Sequence, residues 1–574
     1  MNQKKTSLDL TNLSIKQTKE FNACLNEHRK DFDQMLCNLS KKKNLHPEIF
    51  NTSIFSREPE FSPLYERCCK LAFIKKQVDT GYFDKIIVND LELHKVLKRS
   101  YIYKVEGLNI HCTEKKIRYI FNLFLPFRNF LRSLSFAVFM ILARQKSNVE
   151  NIHGKDVILF STNILKGSFE KNDGTSYIDR NFPDINRFVP KEQRDRLVFL
   201  PQFPGGPRPY NKKFEKLRKH KQSFLIKADY FKLEDYLYAF SYPIRIDIKM
   251  INNVEFLGFD ITGLILREYW HTIFDFKIIE SLLNNKISKR LKEKGIKITV
   301  MIDWYENQLS SKGLINGFRK NYPEAKIIGY CGIIDSALYR INLHPSEYEN
   351  DQMLLPHQIT VLGDDTKGDF MEFTKNIDIT SAPSLRYKYL HEIDRSRLKD
   401  SEFTILVALP IFKDQARNIL AILSKSIRSL EMINKIRIKI KTHPTQSSKI
   451  YRPLFDIESE NCKFVDDNFF ECISTADLLI TSASTTCMEA LAIGVPVAII
   501  GAKSQILQNP IPKTIPDDYW RICYSSSELI GFSKSVINLN ENELILESER
   551  IRDSYFLLPT NENIEELIHL NHQI

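Results

Sequence analysis

Among the ten cysteines no C-x-x-C pair occurs. Cys68 and Cys69 are adjacent, a spacing that suits neither a bridge nor a zinc site, so reduced thiols in a cytosolic chain are the expectation. Behind Met1 lies a polar, lysine-rich segment with no apolar h-region, and no secretory signal is expected. An apolar run of membrane-spanning length is also missing. The aromatic-rich segment Phe121 to Arg144 is interrupted by Pro126, Arg128 and Arg132, and its charge-free run from Ser133 to Ala143 is eleven residues, where a span needs about 20. No arginine-rich tail or nucleic-acid motif accompanies the net charge of +11. Nucleic acid is therefore not an expected partner, which leaves an anionic membrane face or anionic substrates. No D-x-D pair stands in a setting that suits a divalent metal; Asp364 and Asp365 are simply adjacent. What remains is ordinary folded protein: 574 residues, 43% hydrophobic, enough for at least two domains with large cores.

The most informative stretch is Ala476 to Gly501, ADLLITSASTTCMEALAIGVPVAIIG. Leu478 to Ile480 is an apolar run of strand length. A small polar cluster follows, Thr481 to Thr486. From Thr485 the spacing turns helical, with Met488, Leu491 and Ala492 on one face. Gly494 and Pro496 stop the helix, and Val497 to Ile500 is the next apolar run. The stretch reads as a βαβ unit with hydroxyls at the helix N-terminus. The first amides of a helix lack intrahelical partners and carry partial positive charge, so hydroxyls beside them make a phosphate cradle. The competing reading is that Ser482 or Ser484 caps the helix.

A second element lies upstream. Lys435 to Lys441, KIRIKIK, alternates Ile436, Ile438 and Ile440 with basic residues, as a strand does. It runs into Thr442-His443-Pro444, which leaves His443 at the strand's C-terminal end. Ligands of open α/β sheets bind outside the C-terminal ends of strands, so His443 and the Ser/Thr cluster are expected on one sheet edge.

A strand ending in K-x-H-P, followed by A-D-x-x-I-T-S-x-S-[ST]-x-x-x-E-A-x-x-x-G-x-P-V, resembles the donor half of GT-B glycosyltransferases. The chain is most similar to the group that builds bacterial surface and capsular polysaccharides (O-antigen, capsule). That group includes the sialic acid and Kdo transferases with an HP motif and a Ser-Ser/Thr motif. As a whole, the chain resembles "surface carbohydrate biosynthesis" proteins. The match is good over Phe403 to Trp520, looser over Lys155 to Gly363 and weak before that. The resemblance implies a nucleotide-sugar donor, leaning toward a CMP-sugar, with His443, Ser482, Ser484, Thr485 and Thr486 on its phosphates. It implies that Glu489 reaches the ribose hydroxyls, against the plain reading of a helix-surface glutamate. It also implies that the strand-to-helix loop after Thr404 to Leu409 faces the cleft, and that the C-terminal stretch crosses back onto the first domain.

The rest of the chain supplies an acceptor side. Ile296 to Ile302, IKITVMI, is a strand ending at Asp303, followed by Trp304, Tyr305, Glu306, Asn307 and Gln308. A glycosyl acceptor hydroxyl loses a proton as it attacks, and a carboxylate at a strand end beside aromatics can take it. Asp303 and Glu306 are the candidates. The alternative is that Asp303 caps a helix and Glu306 pairs with Lys312 or Arg319. The acidic-acidic-Gly motif of sialyltransferase-like families is not found here. Other expected strands are Asp156 to Ser161, Arg196 to Leu200, Ala325 to Tyr330, and Ile359 to Leu362. Phe83 to Asp90 reads as a strand opening the first domain, with a helix over Leu91 to Leu97 behind it. The Pro-Gly loop Phe203 to Pro209 and the pair His344-Pro345 read as loops. The basic run Lys212 to Lys221 reads as a solvated helix face that can also attract an anionic acceptor. Phe121 to Arg144 is either a buried or subunit-contact helix, or an interfacial helix with Arg128, Arg132, Arg144 and Lys146 near lipid phosphates.

The expected fold is α/β: two facing Rossmann-like domains, GT-B-like, with a helical N-terminal extension. The expected division is a helical extension over 1–80 and an acceptor domain over 81–390 with a helical insert at 113–150. An interdomain link follows at 364–402, then a nucleotide-sugar domain over 403–535 and a helical segment over 536–574. The expected activity is metal-independent, inverting glycosyl transfer. The donor substrate is a nucleotide-sugar and no cofactor is expected. The acceptor is a glycan or a lipid-linked glycan, with peripheral membrane contact through 121–144. The expected location is the cytoplasm, at the inner membrane face where 121–144 meets lipid. A nucleotide-sugar 2-epimerase and a non-catalytic, membrane-associated assembly subunit are the alternatives.

Overall fold

The computed structural model describes residues 7–569, apart from 82, 102–107, 115–120, 146–151, 153, 165–167, 170–176, 204, 205, 207, 335–339, 394–401, 445, 456, 458, 483 and 508. Lys146, part of the loop at 203–209, and the crossing at 394–401 therefore lie outside the described residues.

Three parallel sheets organise the chain. The first joins β1 (Ser7–Asp9), β2 (Lys85–Val88) and β3 (Asn109–Cys112) in that order. The second holds β4 (Asp156–Asn163), β5 (Leu197–Gln202) and β6 (Ser223–Phe224). Past a small hairpin, β7 (Glu255–Phe256) with β8 (Phe259–Asp260), it continues through β9 (Lys297–Trp304), β10 (Lys326–Cys331), β11 (Gln358–Val361) and β12 (Asp378–Ser381). Its spatial order is β12-β11-β10-β9-β4-β5-β6. The third holds β13 (Phe403–Ala408), β14 (Ile436–Lys441), β15 (Cys462–Val465), β16 (Leu478–Thr481), β17 (Val497–Ile500) and β18 (Trp520–Cys523). Its order is β15-β14-β13-β16-β17-β18. Counted within each sheet, the second and third both run 3-2-1-4-5-6, the doubly-wound order, and the second adds a seventh strand. These are two Rossmann-like sheets.

Burial explains the strands. In β14 the isoleucines are buried and Arg437, Lys439 and Lys441 are half-buried, the alternation read from KIRIKIK. β16 and β17, in the middle of the sheet, are buried at every position and read as continuous apolar runs. One apolar cluster is continuous across both large sheets, with Ile302, Trp304 and Tyr330 of the second joined to Leu406, Leu479 and Met488 of the third. The two units therefore face each other through a shared core.

Three expectations are corrected. Phe83 to Asp90 does contain a strand, β2, but β2 pairs with β1 and β3, so the seven-stranded sheet begins at Asp156. The N-terminal segment is likewise more than helical, since Ser7–Asp9 is an edge strand. The stretch 364–402 is not merely a link: Asp378–Ser381 is the edge strand of the seven-stranded sheet. Short, half-buried edge strands carry too few apolar residues for periodicity to mark them.

The C-terminal segment returns to the seven-stranded unit. The amide of Leu557 donates to Leu362 O (2.8 Å), and the amide of Ser384 donates to Leu557 O (2.8 Å). Gly363 permits this approach: a Cβ there would collide with the Ser554 backbone oxygen and stand 2.6 Å from Tyr555 Cα. Backbone cannot yield as a flexible side chain does. Gly363→Ala is expected to cost about 1–3 kcal/mol, as overpacking does, and to expose the C-terminal helix Glu541–Tyr555 to proteolysis. An unchanged denaturation midpoint would rule this docking out as a source of stability.

The helix Leu125–Leu142 is long and apolar enough, by length and composition, to cross a membrane, contrary to what its charge-free run from Ser133 to Ala143 led one to expect. It does not read as wholly buried either. Asn129, Ser133, Phe136, Ala137 and Met140 are buried, and the opposite face is exposed. The buried face is tied down by Asn129 Nδ2 donating to His271 O (2.9 Å) and Ser133 Oγ to Phe274 O (2.7 Å).

Candidate active site

In a doubly-wound sheet the crevice opens where the strand order reverses. In the third sheet that point lies between β13 and β16. Ala408, near the end of β13, pairs with Lys441 on one side and Thr481 on the other. His443 and Ser482, each just past those partners, thus stand on the same C-terminal edge, on either side of β13. Thr481 Oγ1 donates to Ala408 O (2.9 Å) and ties the strand ends together.

The hydroxyl turn differs from a plain cap. The helix after it, Thr486–Leu491, is six residues long, and Thr485 at its N-cap makes no side-chain cap bond. Thr485 Oγ1 instead donates to Ile334 O (3.0 Å), beyond the end of β10 in the other sheet. Ser484 Oγ accepts a long bond from the Thr486 amide (3.4 Å). Ser482 is buried, and neither Ser482 Oγ nor Thr486 Oγ1 has a partner. A buried hydroxyl without a partner costs about 1–3 kcal/mol, so these two are the groups suited to a ligand's oxygens. A helix this short adds little macrodipole, and the hydroxyls carry the recognition. His443 is half-buried, and burial pushes its imidazole below the ordinary range. Neutral at pH 7, it can donate one N–H to a phosphate oxygen.

Glu489 is not a helix-surface residue. It is buried and accepts a hydrogen bond from the Tyr389 hydroxyl. Burial raises its carboxyl, with Tyr389 and Arg386 opposing.

In the second sheet the order reverses between β4 and β9. Asp303, near the end of β9, is buried at 2% exposure and lines a small polar pocket with Ser161, Gln202, Glu306 and Ser311. Burial raises its carboxyl to about 6, although the Ser161 and Ser311 hydroxyls and Lys227 pull the other way. Asp303 Oδ2 has no partner. Asp303 is therefore a strand residue facing a pocket, with a pKa suited to a base near neutral pH.

Glu306 is different. Its Oε2 accepts from Arg340 Nη2 (2.6 Å) and Gln308 Nε2 (3.2 Å), and its Oε1 from Trp304 Nε1 (2.9 Å). Burial pushes it up, but Arg340, the Trp304 bond and Arg386 reverse this and hold it below the ordinary range. A fully engaged carboxylate is a weak base, so Glu306 suits orientation rather than proton transfer. The expected pairing with Lys312 or Arg319 does not occur. Lys312 Nζ pairs with buried Glu349 Oε1 (2.7 Å), and Arg319 Nη1 donates to Leu355 O (3.0 Å).

Sequence reading missed Arg386 and Tyr389, both on the turn Leu385–His391. Arg386 keeps access to solvent, rests beside the Tyr387 ring (5.6 Å), and feels the charges of both Glu489 and Glu306. Its charge is thus felt in both half-sites. The turn falls where a link was expected, and no periodicity marks it. His344 is a packing residue: it is buried, its Nδ1 lies 2.5 Å from Asp369 O, and burial lowers its pKa to about 3.

Two Rossmann-like sheets that share an apolar core and whose strand-end loops meet where Thr485 bonds to Ile334 have a GT-B-like architecture. No protein-family model and no curated protein matches the chain. Solved structures of this arrangement do align with it. The UDP-GlcNAc 2-epimerase of Neisseria meningitidis bound to UDP-GlcNAc is 10% identical over 73% of this chain and 100% of that one, with TM-score 0.42. A variant of the wall teichoic acid polymerase TagF is 11% identical over 78% and 97%, with TM-score 0.39. MurG of Acinetobacter baumannii is 11% identical over 73% and 100%, with TM-score 0.38. The likeness is distant, and the functional reading rests on this chain's own residues.

Proposed function

We propose that the chain is a glycosyltransferase that moves a sugar from a nucleotide-sugar, CMP-linked on the motif resemblance, to a bacterial surface polysaccharide or lipid-linked glycan. The observation that carries this reading is the pairing of two crevices: unpartnered buried hydroxyls at one, and a buried carboxyl with a pKa of about 6 at the other. His443, Ser482, Ser484, Thr485 and Thr486 surround the donor phosphates, and Glu489 lies toward the ribose. Asp303 takes the proton of the acceptor hydroxyl as its oxygen bonds to the anomeric carbon. The bond from that carbon to the nucleotide phosphate breaks on the opposite face, giving inversion. The leaving phosphate is met by the His443 N–H, the hydroxyls and Arg386, groups that stabilise charge as it develops and do so without a metal.

The test is a thermal-shift titration with CMP, CDP, UDP and GDP on the wild type and on His443→Ala. A nucleotide at about a hundred times its dissociation constant stabilises by about 2.7 kcal/mol. One nucleotide is expected to stabilise the wild type and to lose most of that effect in the variant. If none stabilises the wild type, the donor half of the proposal fails and the assembly-subunit reading takes its place. A sugar nucleotide interconverted with no acceptor present would replace transfer by 2-epimerisation.

A further inference from the structure

The helix Leu125–Leu142 exposes an unbroken apolar stripe. Phe124, Phe127, Leu131, Leu134, Val138 and Ile141 follow one another at spacings of three and four, so they lie on one face, and all are exposed. Phe127 is 63% exposed and Leu142 is 68% exposed. Neighbouring helices extend the apolar surface. Leu233 and Leu237 are exposed on Leu233–Phe240, which meets this helix through the Phe130–Phe240 ring contact (5.8 Å), and Trp270 is exposed on Thr262–Thr272. A surface this apolar is uncommon on a protein that meets only water.

The charge along the helix itself has one sign. From Lys115 to Val149 there is no acidic residue, and there are seven basic ones. Arg128, Arg132 and Arg144 are exposed on or beside the helix. The basic helix Asn211–Arg218 abuts its C-terminal end, with Arg218 Nη2 donating to Ala143 O (2.9 Å), and brings exposed Lys212 and Lys216 alongside. An apolar face flanked along its helix by cations complements an anionic bilayer. The helix is about 27 Å long at 1.5 Å per residue. Its other face is held by Asn129 and Ser133 to the 271–274 turn, a geometry that suits lying along a membrane surface and not crossing it.

A pocket leads from this helix to the site. Arg132, from the helix, and Lys277, which pairs with Glu58 (2.5 Å), line a depression that also contains Glu60, Glu280, Gln202, Gln308 and Ser310. Those last three residues also line the Asp303 pocket. The Asp303 pocket and the depression lined by Arg132 thus adjoin along a shared wall.

We propose that this face docks on an anionic lipid bilayer and that the depression takes a lipid-borne acceptor from it; the second clause rests on the transferase reading above. Arg132 then meets the acceptor's phosphate while its sugar reaches Asp303.

The test is flotation with phosphatidylcholine vesicles, with and without phosphatidylglycerol, of the wild type and of the double variant Phe127→Glu/Leu134→Glu. Both side chains are exposed, so the fold tolerates the change, and an unchanged melting temperature checks it. The wild type is expected to float with the anionic vesicles and to be released by high salt. The variant is expected to bind on the order of a hundredfold more weakly, since it loses two buried anchors and gains repulsion. Failure of the wild type to float, or equal flotation of the variant, overturns the proposal. So does a wild-type dimer that the variant converts to monomer while neither floats, because the face is then covered by a second copy. Nucleotide stabilisation in solution is expected to be the same in both proteins. If no nucleotide stabilises either but the wild type floats, the docking surface stands and only the donor reading falls.

Discussion

Asp303→Asn is expected to remove turnover and at the same time to stabilise the protein above about pH 6. A positioned general base contributes roughly 10²–10⁴ in rate, and asparagine cannot accept the proton. The wild type is expected to gain activity as pH rises through about 6, where the Asp303 carboxyl ionises. The stability effect has the opposite sign. The folded pKa stands above the ordinary 3.8, so the native state holds the proton more tightly than the unfolded chain. The stability contributed by that proton is complete below 3.8 and is lost as pH rises through about 6. Asparagine mimics the protonated form at every pH. At pH 7 to 8 the variant is therefore expected to be more stable, by on the order of 2–3 kcal/mol at about 1.4 kcal/mol per pKa unit. Turnover is measured with the nucleotide-sugar whose nucleotide stabilises the wild type, and stability by denaturant titration at pH 5 and pH 8. A variant less stable at pH 8 would mean that the carboxylate is part of the fold's bonding and not held ready for a substrate.

Arg57→Ala is expected to destabilise the protein more than Gly363→Ala does. Arg57 is fully buried; Nη1 pairs with Asp33 Oδ1 (3.1 Å), and Nη2 with Glu349 Oε2 (2.6 Å) and His344 O (2.6 Å). Lys312 completes the cluster on Glu349. Burial pushes the Glu349 carboxyl up, and Arg57 and Lys312 more than reverse it, so it stays ionised. Such a cluster gains little over an apolar core of the same shape, but removing one partner strands a buried charge at about 3–5 kcal/mol. That is a large part of the roughly 5–15 kcal/mol that holds a typical domain together. The cluster joins the N-terminal 7–112 region to the seven-stranded unit, since Asp33 and Arg57 belong to the first and Lys312, His344 and Glu349 to the second. Loss of Arg57 is expected to release the N-terminal region to limited proteolysis before the rest unfolds. The depressed Glu349 carboxyl adds stability above its unfolded value near 4.5, lost as pH falls toward its folded value. A denaturation shift under about 1 kcal/mol in Arg57→Ala, far below the expected cost of a stranded charge, would show that the cluster does not join the two parts.

How much was legible in the sequence depended on burial. Central strands buried on both faces read almost to the residue: Val497–Ile500 was expected and observed with the same bounds. β9, β10 and β13 were displaced by one or two residues. Edge strands β1, β6 and β12 escaped because half-buried residues leave no period. The same applies to roles. Asp303 could be singled out as an acid at a strand end. Its unpartnered Oδ2, and the engagement of Glu306 by Arg340 and Trp304, depend on residues 2 to 142 positions away. Glu489 looked like a helix-surface group because its covering residue, Tyr389, lies 100 positions upstream.

The sequence by itself determined the local units: the hydroxyl turn between two apolar runs, the strand that ends just before His443, and the acid after IKITVMI. Each is set by periodicity, capping or a chain break within a dozen residues, where short-range sterics and solvation decide. Tertiary structure alone decided which units meet. It set Lys441 and Thr481 on either side of Ala408, brought Thr485 to Ile334, and put Arg386 within the electrostatic reach of Glu489 and Glu306. It also turned one side of Leu125–Leu142 into the core and left the other to solvent. Charge and burial at those places arise from contacts between segments far apart in the chain, and no local pattern encodes the distance between them.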